Sequence, residues 1–162
     1  MPKRGDPNFD KPYKVRPFID TLQKNVLKYY DPDEVMSADE SMISFKSRSS
    51  LKQYMPKKPI RRGYKVWMLA CKSAYLLKFE VYRAIRVMQL KKKPLGESVV
   101  KSMMEGSEGA NHKVFFDNYF TTYELLKSLK EKKIYACGTV NTNRKVFPKF
   151  LNATKMSRSQ HE

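Results

Sequence analysis

Apolar residues recur at helical spacing from Pro17 to Tyr30. Phe18, Leu22, Val26 and Tyr29 or Tyr30 predict one buried stripe there, and Pro17 suits a first turn. "YDPDE" interrupts that pattern. Val35 to Phe45, "VMSADESMISF", reads as a strand that carries Asp39 and Glu40. "YKVWMLACK" and "AYLLKFEVY" are two β-rich runs parted only around Ser73, which predicts a hairpin without a favoured Gly or Asn at its turn. "PLGESVVKSMMEG" predicts a helix with Leu95, Val99 and Met103 on one face and Gly106 near its end. "KVFFD" is a strand. Thr121 followed three residues later by Glu124 predicts a capping box opening a helix with Leu125, Leu126 and Leu129. "KIYACGTV" is the last strand.

The order is helix, strand, hairpin, helix, strand, helix, strand. Early antiparallel strands followed by an αβαβ run predict an α/β fold, a mixed sheet flanked by helices. In that order Asp117 stands at the C-terminal end of an apolar strand, just before a helix. Ligands of open α/β sheets gather beyond such strand ends. Taken alone, Asp117 reads either as a strand-ending residue or as one placed for chemistry. Asp39 lies on the first strand of the same sheet. If the two strands are neighbours, two carboxylates meet at one sheet end, and a hard divalent cation would relieve their repulsion. Glu40 points to the opposite face by strand alternation. Trp67 reads as core.

Charge changes the picture. The 162 residues hold 33 Lys and Arg against 16 Asp and Glu, a net charge of +17, which favours a polyanionic partner. Residues 46–65 contain Lys46, Arg48, Lys52, Lys57, Lys58, Arg61, Arg62 and Lys65 with no acid, and read as a basic loop. Tyr54 and Tyr64, interleaved with these cations, suit contact with a nucleic-acid backbone. "RAIRVMQLKKKP" is a second basic segment, and Lys91, Lys92 and Lys93 could extend the surface or form a nuclear-import patch. The start of the chain has no apolar signal-like region, and no apolar run is long enough to span a membrane. Cys71 and Cys137 each lie in a strand-like run and read as reduced core thiols. Two histidines without a cysteine pair give no zinc signature.

"SADESMISFKSR", "YMPKKPIRRGYKVWMLA", "FEVY", "PLGESVV", "FFDNYFTTYELLKSL" and "GTVNTNRK" resemble, in order, successive blocks of the piggyBac-type transposase domain, from about Val15 to about Lys149. The resemblance implies a ribonuclease H-like core with three aspartates that hold two metal ions for DNA cleavage and strand transfer. By motif, Asp39 in "ADESM" matches the first aspartate and Asp117 in "FFDNYF" the second. The third lies further along the family's chain, and residues 1–162 show no counterpart. Ser47, Ala84 and Lys72 depart from the family pattern.

The expectations that follow are a basic arm and helix over 1–34, a partial ribonuclease H-like domain over 35–150 that is incomplete at its C-terminus, and a polar basic tail over 151–162. The chain is expected to bind DNA largely through phosphates, to act in the nucleus, and to hold Mg²⁺ or Mn²⁺ weakly at Asp39 and Asp117. Lacking a third acid, it is expected to cut little or no DNA alone. A non-enzymatic basic module that keeps only the fold is the alternative, and homo-oligomers are implied by family analogy. The isolated chain is also expected to be unstable, with apolar surface left exposed.

Overall fold

A computed structural model describes residues 12–83 and 94–140 of the chain. The arm before Pro12, most of the second basic segment with Lys91, Lys92 and Lys93, and the tail from residue 141 lie outside the described residues.

Helix α1 spans Arg16–Tyr29 and has Pro17 in its first turn. It is followed by β1 (Val35–Ser44), β2 (Gln53–Tyr54), β3 (Arg62–Cys71) and β4 (Leu76–Val81). Then come α2 (Leu95–Met103), β5 (Lys113–Phe116), α3 (Tyr123–Glu131) and β6 (Tyr135–Gly138). The six strands form one sheet in the order β2-β3-β1-β5-β6, with β4 also pairing with β3. β1 runs antiparallel to β3 and parallel to β5, and β5 runs parallel to β6. The mixed sheet read from the element order is the one observed.

Period-2 patterning explains which face is covered. Met36 and Ala38 of β1, Trp67, Leu69 and Cys71 of β3, and Val114 and Phe116 of β5 are buried. They share one core with Val99, Val100 and Met103 of α2 and with Leu125 and Leu129 of α3. The alternate residues Ser37, Asp39 and Phe115 are exposed, as is Tyr135 of β6.

Four details depart from the sequence reading. The α1 stripe is rotated. Phe18 is 70% exposed and Tyr29 73% exposed, while Ile19, Gln23 and Val26 are half-buried. The Gln23 side-chain amide donates to the Phe79 carbonyl of β4, and the Tyr75 hydroxyl donates to the Val26 carbonyl at 3.3 Å. These polar ties to the hairpin select a neighbouring stripe. Tyr30 stacks on Tyr75 with centroids 4.0 Å apart, which fixes the helix exit.

The cap of α3 is Thr122, whose hydroxyl accepts the Leu125 N–H at 3.1 Å. Thr121 is buried one residue earlier, and its hydroxyl donates to the Asp117 carbonyl at 2.8 Å, which ties it to the turn before the helix. Thr122→Ala should therefore cost about 1 kcal/mol, read as a lowered urea midpoint, whereas a neutral effect would show that the cap contributes nothing. Cys137 is exposed on β6 and only Cys71 is a core thiol; both are free. Arg62 and Lys65 are not in a loop: both lie on β3.

Candidate nucleic-acid interface and carboxylate site

The parallel pairing of β1 with β5 ends with Ala38 opposite Phe116. Asp39 follows Ala38 within β1 and Asp117 follows the last residue of β5, so the two stand at the same level of the sheet. Both are exposed, and the residue before each points into the core. β1 continues to Ser44 while β5 stops, which opens the sheet at this level on one side of β1.

Local hydrogen bonds hold both carboxylates. Asp39 Oδ1 accepts the Glu40 N–H at 2.7 Å, and Asp117 Oδ1 accepts the Tyr119 N–H at 2.9 Å. The Asp117 carbonyl also accepts the Phe120 and Thr121 N–H groups, which tightens the turn leading to α3. Gly96 at the start of α2 packs under this turn. A Cβ there would come within 2.8 Å of the Tyr119 carbonyl oxygen, so only glycine lets the helix approach.

Lysines stand beside the acids. Lys58, on the loop between β2 and β3, pairs with Glu40 at 3.1 Å. The hydrogen-bonded Glu40 carboxylate, with Asp39 and Asp117 adding at longer range, holds the Lys58 ammonium above its ordinary pKa. Lys65 projects from β3 over the Trp67 ring, 3.9 Å from its centroid, with Tyr119 at 5.3 Å and Tyr82 at 5.9 Å. Burial pushes its pKa down, against the opposing pull of Glu40. Trp67 is 2% exposed; it stacks on Tyr119 and meets Phe120 edge-on.

The other cations read as DNA contacts divide into two groups. Lys52 is turned inward, with its ammonium donating to the Lys46 and Ser47 carbonyls at 3.3 and 2.9 Å. Lys46, Arg48, Lys57, Arg61 and Arg62 are exposed. Arg62 lies 5.3 Å from the ring centre of Tyr54, itself 61% exposed, so a cation and an aromatic face are presented together. Glu40, Tyr119 and the aromatic floor under Lys65 are site features that the sequence reading did not assign. The signal was available in the i, i+2 spacing of Lys65 and Trp67, which puts both on one face of a strand.

Two carboxylates at one sheet end are hard oxygen donors of the kind Mg²⁺ or Mn²⁺ takes. Among the described residues, neither Asp39 nor Asp117 spends its second carboxylate oxygen on a hydrogen bond. The donor chemistry therefore fits a divalent cation. Among the described residues, no group of three His, Cys, Asp or Glu side chains gathers to complete its coordination. No described helix is long and apolar enough to cross a membrane.

The sequence profile of the family described as "Transposase IS4" matches residues 2–162. The chain is 33% identical over 136 residues to human piggyBac transposable element-derived protein 3, covering 81% of this chain and 23% of that protein. It is 32% identical over 143 residues to human piggyBac transposable element-derived protein 2, covering 83% of this chain and 24% of that protein. The chain thus spans about a quarter of the length of these relatives. Its fold superposes with a TM-score of 0.78 on the cryo-EM structure of a piggyBac transposase synaptic complex with hairpin DNA. That match has 30% sequence identity and covers 91% of this chain and 30% of the other.

Proposed function

The chain belongs to the piggyBac-type transposase family, with a ribonuclease H-like mixed sheet, and on that premise we propose that it binds duplex DNA through backbone phosphates without cutting it unaided. The observation that carries this reading is the set of exposed cations Lys46, Arg48, Lys57, Arg61 and Arg62 on a chain whose Asp39 on β1 and Asp117 just past β5 stand at the same level of the sheet. The solved relative is a complex with hairpin DNA, which supports DNA as the partner. A DNA partner in turn implies action in the nucleus.

A divalent cation held by Asp39 and Asp117 would supply Lewis-acid stabilisation of charge on a phosphate oxygen. The residues of the chain do the rest of the work. The Glu40 and Tyr119 amides orient the two carboxylates, and Gly96 allows α2 to support the turn that carries Asp117. The exposed cations attract the phosphate backbone to the chain. Two-metal phosphoryl transfer clamps both the attacking and the leaving oxygen, and two carboxylates are too few ligands for two octahedral ions.

Supercoiled DNA incubated with the chain and Mn²⁺ should be retarded on a gel yet stay supercoiled. Calorimetric titration with Mn²⁺ should show weak binding that Asp39→Asn or Asp117→Asn removes. Metal-dependent nicking by the parent that both variants lose would make the chain an enzyme and overturn the non-cutting part of this reading. Absence of retardation would overturn the DNA-binding part.

A further inference from the structure

We propose that Lys65 is a phosphate-binding residue of the carboxylate site, distinct from the exposed cations that attract the DNA backbone at large; this rests on the DNA-binding reading above. The geometry is unusual for a surface lysine. Lys65 leaves β3 opposite Met42 of β1, on the same strand face as Trp67. Its ammonium lies against Trp67, Tyr119 and Tyr82. Aromatic faces attract a cation through their quadrupole, but they give an ammonium's three N–H groups only weak acceptors.

Glu40, the acid on the same strand face, is already paired with Lys58. Among the described residues, the Lys65 ammonium makes no hydrogen bond and no ion pair within 4 Å. A half-buried cation with unspent donors, fixed on an aromatic floor, is built to meet an acceptor arriving from outside.

Its position selects the acceptor. Tyr119 links the two halves of the site: its N–H holds the Asp117 carboxylate, while its ring lies beside the Lys65 ammonium. Glu40, Asp117 and Asp39 all lie close enough to act on the charge of Lys65. A phosphate approaching Asp117 past the end of β5 meets uncompensated negative charge and needs fixed positive charge at the same place. Lys58 is committed to Glu40, and Lys65 remains. Trp67 and Tyr119 keep the ammonium from following bulk solvent, so little side-chain freedom is lost when an oxygen is bound.

Trace acylation with acetic anhydride, quantified lysine by lysine in the unmodified chain, tests this without any variant that could misfold. Free chain should show measurable labelling of Lys65. Saturation with a short duplex should cut that labelling several-fold, while labelling of Lys132, paired with Glu108 at 3.1 Å, stays unchanged. Inorganic phosphate at a matched phosphate concentration should not protect Lys65.

As a second readout, Lys65→Met should flatten the salt slope of duplex binding by about one unit, and Lys65→Arg should restore most of it. Duplex that binds but leaves Lys65 labelling unchanged overturns the assignment of Lys65 while the DNA-binding reading stands. Lys65 that resists labelling in the free chain also overturns it, because the ammonium would then be closed to outside acceptors. Equal protection by inorganic phosphate would make it a general anion site and overturn the link to DNA. A chain that binds no duplex overturns both.

Discussion

Trp67→Ala is expected to be the most destabilising single substitution in the chain, lowering its melting temperature sharply. Trp67 is the single tryptophan and is buried between β3 and the turn that leads to α3. It stacks on Tyr119 at 5.7 Å, meets Phe120 at 5.4 Å and Tyr82 at 6.2 Å, and carries the Lys65 ammonium on its face. Truncating a buried aromatic of this size costs about 3–5 kcal/mol, against roughly 5–15 kcal/mol for an ordinary domain. A loss of that size would remove a large share of such a margin. Far-UV circular dichroism during heating would read the loss directly. A variant that melts as sharply and as high as the parent would show that the ring is not the keystone of this end of the sheet.

Reversing the charge of Arg61 and Arg62 together should give the largest loss of DNA affinity. Both are exposed; Arg62 sits beside the Tyr54 ring at the start of β3. Each cation that neutralises a phosphate releases counterions and contributes about −0.9 to the logarithmic salt slope. Removing two such contacts should flatten the slope by about two units and weaken binding most at low salt. The same reversal should leave the melting curve nearly unchanged, since neither guanidinium makes an ion pair with a described residue. An unchanged slope would move the interface to another part of the surface.

How far the sequence could be read depended on which interactions decide each feature. The strands were legible because burial on one sheet face imposes a period of two, as in Met36 and Ala38 or Val114 and Phe116. The position of Asp117 at a strand end followed from the same pattern. Helix α1 was legible as a helix, but its buried stripe was not. It contains no fully buried residue, and its orientation is decided by polar ties from Gln23 and Tyr75 that no periodicity records. Thr121 and Thr122 are adjacent candidates for one cap, and the choice lies in which of them takes the extended backbone that ends the Asp117 turn.

Lys65 shows the limit most clearly. A run of eight cations without an acid suggests one uniform basic loop. The fold separates Lys65, half-buried against aromatic rings, and Lys58, paired with Glu40, from the exposed Arg61 and Arg62. Cys137 failed for a related reason. A strand-like run does not reveal which of its alternating residues faces the core.

The most direct measurement of the account is the affinity of the whole chain for two unrelated duplexes across a range of salt concentrations. A domain that grips DNA by its phosphates predicts closely similar affinities for the two sequences and a logarithm of affinity that falls linearly and steeply with the logarithm of salt. Binding that ignores salt, binding that strongly prefers one duplex, or no binding at low salt would contradict it.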